Sequence, residues 1–406
     1  MSIRMSNVNN EAMKKINLSL VLNAIWENEP ISRRDLAKLT GLTPSSITNI
    51  IKQLMRDGVL IETGVGESNG GRKPVMLHIN GQSGYIIGIE LTFYHITGIM
   101  VDMRAKKVGK LVEDTRLKDG KEAVIGRIID VIDKLINDVG IKREKVLGIG
   151  ISAPGPYDHE RGVLINPPNF PGWHNVPIVD IIQSKFNIPT YLEKETQAAA
   201  LAEWWFGGAK NCDSLFAISI NKVGLGGGMI INGEVYHGFF DGAGDLGHMI
   251  IDMDGVQCTC GSYGCLEAMA TGLYIQHYVV SEIKRGRKSS IYKSGSDADD
   301  IEIDAIFEAA NSGDPLCMEA LDKAAYNLGI GIGNIINVCS PDVIVIGGEI
   351  PALYPQYVQK AVITVHGRAY PGYNKDVRIL PATFGQEMGA IGAISLVFHN
   401  IFKILP

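Results

Sequence analysis

The 406-residue sequence has no run approaching eighteen apolar residues, which excludes an ordinary membrane-spanning helix. Its opening stretch, MSIRMSNVNNEAMKK, lacks the apolar segment of a secretory leader, so a cytoplasmic location without membrane insertion is expected. Cysteine is also scarce, with six in the chain. Cys212, Cys317 and Cys339 are scattered in apolar surroundings and read as buried core thiols rather than disulfide partners. At 46% hydrophobic and 20% charged, the composition is that of a globular protein long enough for two or three domains. No strong charge excess is present, yet the net −6 is unevenly spread. Residues 1–80 carry ten Lys/Arg against seven Asp/Glu, and the remainder 28 against 37. A basic front end on an acidic body suits a nucleic-acid-binding module joined to a small-molecule domain.

The other three cysteines fall within residues 242–267, GAGDLGHMIIDMDGVQCTCGSYGCLE. His248, Cys258, Cys260 and Cys265 offer the four N/S ligands that Zn²⁺ takes in a tetrahedron. Gly261 and Gly264 permit the tight bends of a short ligand loop. A closed Cys3His set leaves no open coordination position, so one structural zinc per chain is expected. The alternative is a cluster of reduced thiols without metal.

The first eighty residues read as a winged helix-turn-helix. Apolar residues at helical spacing predict a helix over 16–26, closed by Pro30. Ser32 with Asp35 three residues on starts a short helix through Leu39, and Gly41 ends it. Thr43-Pro44 then starts a helix to about Asp57, with Ile47, Ile50, Ile51 and Leu54 facing inward. That leaves Ser45, Ser46, Thr48, Asn49 and Lys52 outward, a set of short hydrogen-bonding groups suited to base edges in the major groove. Strands over 59–63 and 75–79 flank a glycine-rich loop carrying Arg72 and Lys73, cations placed for the minor groove. With Ser32, Arg33 and Thr43 added from the helix starts, these residues form the expected contact set for double-stranded DNA.

Residues 80–84, NGQSG, mark a domain boundary. The body then repeats one plan. Strands over 85–92, 95–102 and 108–117 precede a helix over 123–139 and a strand over 146–152. Strands over 215–220, 228–231 and 234–236 precede a helix over 314–338 and a strand over 343–346. This β-β-β-α-β repetition predicts a duplicated α/β fold of two lobes with a ligand cleft between them. The expected domains are 1–81, the winged helix-turn-helix; 82–196, the first lobe, with helix 388–406 returning to it; and 197–387, the second lobe with the zinc site and an oligomerisation surface.

The segment Val223-Gly-Leu-Gly-Gly-Gly, the Gly-Asp-Leu-Gly-His run, the cysteine cluster and the winged helix together resemble the ROK (repressor, open reading frame, kinase) family over nearly the whole chain. Within it the sequence looks most like sugar-responsive repressors of the xylose-repressor type, where a Gly-Gly-Arg-Lys/Arg-Pro wing also occurs. The resemblance implies an actin-like, sugar-kinase-like fold, a dimer or tetramer, and release of operator DNA when a sugar-class effector binds in the cleft. It also implies contacts to sugar hydroxyls from Asn169, Lys194, Glu195, Asp245, His248 and Glu267. Two of these depart from the family pattern: Asp245 is a methylene shorter than the usual Glu, and Lys194 replaces an amide. A different sugar, a phosphorylated sugar paired with Lys194, or loss of sugar binding are all open on these residues. Asn169 also fits a loop anchor, and Glu267 a helix N-terminal charge.

Phosphoryl transfer is not expected. The family's kinases carry glycines in two phosphate loops where this chain has Thr92-Phe93-Tyr94 and Asn221-Lys222-Val223, and their Asn-Asp-Ala-Asn is Lys194-Glu195-Thr196-Gln197 here. The competing readings are a sugar kinase with an accessory winged helix and a repressor controlled by docking of a sugar-transport protein.

Overall fold

The computed structural model describes residues 10–65, 74–210, 212–292, 296–370, 372 and 377–402. Among them, no helix is long and apolar enough to cross a membrane.

The chain begins with α1 (Asn10–Asn28), β1 (Ile31–Ser32), α2 (Arg33–Thr40), α3 (Pro44–Arg56), β2 (Leu60–Val65) and β3 (Val75–Ile79). The local signals act as expected. The Ser32 hydroxyl accepts from Asp35 N at 3.2 Å, and Gly41 ends α2 at φ 68°. Thr43 caps α3 through Ser46 N at 3.2 Å, with Pro44 in the first turn. Ile47, Ile51 and Leu54 are buried, while Ile50 is half-buried at the edge of this small core. β1, β3 and β2 form a three-stranded sheet in that order.

Next come β4 (Tyr85–Leu91), β5 (His95–Asp102), β6 (Lys107–Asp114), α4 (Lys121–Val139) and β7 (Val146–Ala153). They are followed by β8 (Tyr157–Asp158), β9 (Val163–Leu164), α5 (Ile178–Phe186), β10 (Thr190–Lys194) and α6 (Glu195–Trp205). The later chain adds β11 (Ser214–Ile220), β12 (Leu225–Ile231), β13 (Glu234–Val235), α7 (Leu266–Ala270), α8 (Gly272–Lys284) and α9 (Ile303–Asn311). It ends with α10 (Pro315–Cys339), β14 (Val343–Gly347), α11 (Glu349–Leu353), α12 (Gln356–Arg368), β15 (Arg378–Pro381) and α13 (Met388–Phe402).

Two five-stranded sheets follow one plan, ordered β10-β7-β4-β5-β6 and β15-β14-β11-β12-β13. Counted along the chain, both run fifth, fourth, first, second, third, so the repetition legible in the sequence is a repetition of topology. In the second sheet β11 pairs antiparallel with β12 and parallel with β14. β14, VIVIG, is buried on both faces, which explains its unbroken apolar run.

The described residues divide into two compact units. The first extends to Ile151 and adds Val179–Tyr191 and the helix end from Leu396; the second comprises Ser152–Ile178 and Leu192–Ser395. No unit limit falls near 81, and one falls between Tyr191 and Leu192, close to 196. The winged helix belongs with the first sheet because Glu29 accepts from Ile79 N at 2.7 Å and from Arg104 Nε at 3.1 Å. Trp26 also packs on Phe398 and Phe402, with ring centroids 5.0 and 5.4 Å apart, and Asn23 Nδ2 donates to Phe402 O at 2.7 Å. The second half of α13 thus returns to α1, and its first half, to Ser395, belongs to the second unit.

Candidate functional site

The candidate DNA-reading face lies on α3. Asn49 and Lys52 are exposed and have no side-chain partner among the described residues. The hydroxyls are partly committed: Thr43 Oγ1 lies 2.9 Å from both Ser45 Oγ and Ser46 Oγ, and Thr48 Oγ1 donates to Pro44 O at 2.8 Å. Two expected contacts are used otherwise. Ser32 is buried as the cap of α2, and Arg33 is half-buried in an ion pair with Glu62 at 2.7 Å. Arg72 and Lys73 lie outside the described residues.

In the second unit the four candidate metal ligands come together. The ligand atoms of His248, Cys258, Cys260 and Cys265 all lie within 4.8 Å of one another. Cys258 Sγ is 3.7 Å from His248 Nδ1, and Cys260 Sγ is 3.7 Å from Cys265 Sγ. A tetrahedron with metal–sulfur bonds of about 2.3 Å has edges of roughly 3.8 Å, so the donor set is spaced for a metal ion. The turn that gathers it is built on glycine: Gly261 adopts φ 91°, and a side chain on Gly264 would bring its Cβ within 1.5 Å of Asp252 O. Burial pushes the Cys265 thiol up to about 12.

The candidate effector residues gather only in part. Lys194 closes β10 and forms an ion pair with Asp245. Glu195 opens α6 beside it, and its Oε2 is buried without a hydrogen-bond partner. Burial holds the Glu195 carboxyl above its ordinary value; the Lys194 charge and a backbone hydrogen bond pull it down, and Asp245 pushes it up. Glu267 stands in the first turn of α7 and accepts from Leu225 N at 3.0 Å, which commits one oxygen to the backbone. Asn169, at φ 65°, lines a cavity of about 330 Å³ with Pro167, Phe170 and His174. None of the other five candidates lines that cavity. A larger cavity of about 640 Å³, bounded by Met269, Tyr274, Met318 and Tyr326, holds none of the six, so volume does not mark the polar site.

Sequence reasoning missed a polar cluster directly behind Lys194. Glu193, 2% exposed, accepts from the Tyr157 hydroxyl through Oε1 and meets His237 Nε2 at 2.9 Å through Oε2. His237 stacks on His159 with centroids 3.9 Å apart and planes 3° from parallel. His159 Nδ1 and backbone N meet the Asp241 carboxylate at 2.7 and 3.0 Å. Burial, and then the Glu193 charge, hold the Tyr157 phenol far above its ordinary range, so it stays a donor. Gln197 completes the arrangement, donating to Tyr236 O at 3.2 Å and Ala243 O at 2.9 Å and accepting from Met229 N at 2.8 Å. These residues are single polar positions spread over some eighty residues, and no local motif joins them.

With these sites in place, the comparisons give the class. A winged helix-turn-helix DNA-binding model matches residues 14–61, and the ROK family model matches residues 86–400. The xylose repressor of Caldicellulosiruptor bescii is 31% identical over 395 residues, covering 97% of this chain and 98% of the repressor. The crystal structure of a ROK family transcriptional regulator, a homologue of the E. coli MLC protein, aligns over 97% of this chain and 99% of its own, with 28% identity and a TM-score of 0.83. The ROK hexokinase of Thermus thermophilus aligns over 78% of this chain and 99% of its own, at 27% identity and a TM-score of 0.67. A DNA-binding winged helix ahead of a sugar-kinase-like body defines a transcriptional regulator. The chain belongs to the ROK family.

Proposed function

We propose that the protein represses carbohydrate-utilisation genes and that a sugar-class effector bound by Lys194, Glu195, Asp245, Asn169, His248 and Glu267 lowers its affinity for operator DNA. The observation that carries this reading is the unpartnered, buried Oε2 of Glu195 beside the Lys194–Asp245 pair. An unsatisfied buried carboxyl oxygen is costly, on the order of 1–3 kcal/mol, and a sugar hydroxyl is the donor it lacks. The name of the similar xylose repressor makes a pentose the first effector to test. A sugar phosphate is the second, with Lys194 as its cation.

The Cys3His cluster holds one structural Zn²⁺ in this reading, supported by the donor set and its spacing. The ion supplies rigidity: it fixes the loop that carries His248 and, through Cys265, the first turn of α7 with Glu267. His248 presents Nδ1 to the cysteines, which leaves Nε2 for a hydroxyl of the effector.

Catalysis is not part of the proposal. Exposed Phe93 and Tyr94 occupy the β4–β5 turn, where a phosphate-binding loop offers backbone amides, and exposed Val223 stands in the second such turn. Operator recognition is assigned to Thr43, Ser45, Ser46, Thr48, Asn49 and Lys52 of α3, with Arg72 and Lys73 in the wing. A homo-oligomer fits paired half-sites. Exposed Val338, Ile363 and Tyr370 on and after α10 and α12 supply apolar surface for self-association. The exposed pair Phe239 and Phe240, with ring centroids 4.6 Å apart, favours a second reading, docking of a sugar-transport protein.

A thermal-shift screen of pentoses, hexoses, amino sugars and their phosphates tests the assignment. Stabilisation by at least one sugar and no ATP turnover with any of them is expected; turnover of ATP would replace the repressor with a kinase.

A further inference from the structure

We propose that His159 and His237 are positioning residues that fix the segment 236–245 and, through it, the Asp245 carboxylate. The proposal rests on the reading of Lys194, Glu195 and Asp245 as the effector site, and it assigns that site a support on the far side of β10.

The segment leaves β13 and returns to the short turn carrying Asp245 and His248, with Phe239 and Phe240, 91% and 87% exposed, between its ends. Two exposed aromatic rings give the segment little core of its own, so its conformation depends on polar ties. The backbone of the segment is met by the Gln197 amide at Tyr236 O and Ala243 O and by Gly227 N at Gly244 O, and its charged side chains are tied at three further points. His237 reaches Glu193 at 2.9 Å, Asp241 reaches His159 at 2.7 and 3.0 Å, and Asp245 reaches Lys194. Ala243 N donates back to His237 O at 3.0 Å, which joins the first tie to the last. The anchors are rigid: Glu193 is buried in β10, held also by the Tyr157 hydroxyl and by Lys194 N at 3.0 Å.

Glu193 and Lys194 are consecutive on one strand, so one faces the imidazole pair while the other meets Asp245. The two imidazoles stack at 3.9 Å and 3°. The stacking sets the direction in which each imidazole meets its carboxylate, and the nitrogen–carboxylate contacts hold the segment. Breaking either contact frees one anchor of the segment and lets Asp245 leave Lys194.

The test separates hydrogen bonding from ring packing. His159→Asn keeps a donor near Nδ1 and loses the ring, whereas His159→Phe keeps the ring and loses the donor; His237→Gln and His237→Phe form the matching pair at Nε2. Hydrogen exchange of the amides in 236–245 is measured in the full-length protein, beside operator affinity without sugar and the thermal shift given by D-xylose and by xylose phosphate. Loss of a charged hydrogen bond predicts exchange about tenfold faster in both Phe variants, near-wild-type exchange in His159→Asn and His237→Gln, and unchanged operator affinity in all four. The sugar-induced shift falls with the Phe variants and returns with the amides. Wild-type exchange in the Phe variants, or equal acceleration in all four, overturns the proposal, as does fast exchange with an unchanged sugar response. If neither sugar shifts the wild-type protein, the effector reading loses these ligands, and the exchange pattern alone decides the positioning role.

Discussion

Lys194 meets Asp245 across 51 residues of sequence, and the lysine is the sheltered partner, its side chain 12% exposed against 50% for the aspartate. A sheltered ammonium held by a more accessible carboxylate is a pair that a ligand can rearrange from the carboxylate side. Asp245→Asn keeps the shape and removes the charge. It should weaken the sugar response about tenfold, the effect of one charged hydrogen bond, while changing stability by less than about 1 kcal/mol because the carboxylate that is altered is half exposed to water. Isothermal titration and urea denaturation measure the two effects separately.

Glu195 predicts a rarer pattern, a substitution that stabilises the fold and blinds the site. Its folded-state pKa is raised by burial. The folded form therefore holds its proton more tightly than the unfolded chain, and stability falls as pH rises from the unfolded value through the folded one. Glu195→Gln removes that loss. The variant should be more stable than wild type at pH 7, with the difference closing below about pH 4, and it should bind no sugar. Denaturant midpoints from pH 4 to pH 8 test the sign; a variant less stable than wild type at pH 7 would contradict it.

Removal of the metal should act on the second unit. Structural zinc supplies on the order of 10 kcal/mol to the fold that holds it. Cys260→Ser, or chelation, should lower zinc content, reduce the melting temperature and abolish the sugar response, leaving the circular dichroism of the winged helix intact. Elemental analysis with a melting curve is the check, and full zinc content with a normal response in Cys260→Ser would exclude the assigned ligand set.

Asn49 and Lys52 should separate sequence reading from phosphate binding. Asn49→Ala is expected to cost about 1–3 kcal/mol on the preferred operator and little on random DNA, the behaviour of a base contact. Lys52→Ala should weaken both and reduce the salt slope by about one. Anisotropy titrations at several salt concentrations distinguish the two.

Locally encoded features were legible. The caps Ser32 and Thr43 and the bend at Gly41 announced α2 and α3, and cysteine spacing announced the Cys3His cluster, because each depends on neighbours a few residues away. Long-range features were not. α6 was missed because most of its residues from Thr196 to Trp205 are buried, so no amphipathic period marks it. The fifth strand of each sheet, β10 and β15, is short, and pairing with a distant strand decides its fate. The burial of Ser32 and the Glu62 partner of Arg33 arise only on folding, so neither could be read from the sequence. The winged helix and the first sheet share one compact unit through contacts of the same kind: Glu29 and Arg104 lie 75 residues apart.

The central claim is that sugar binding at Glu195, Lys194 and Asp245 loosens the hold on DNA. It is tested most directly by fluorescence anisotropy on an operator that the protein itself selects from random duplexes, titrated with the sugar that gives the largest thermal shift. Operator affinity should fall at least tenfold for the wild-type protein, stay constant for Glu195→Gln and require about ten times more sugar to fall in Asp245→Asn, with all three equal before sugar is added. Equal release from the wild type and both variants, or no release by any sugar that binds, would contradict the account.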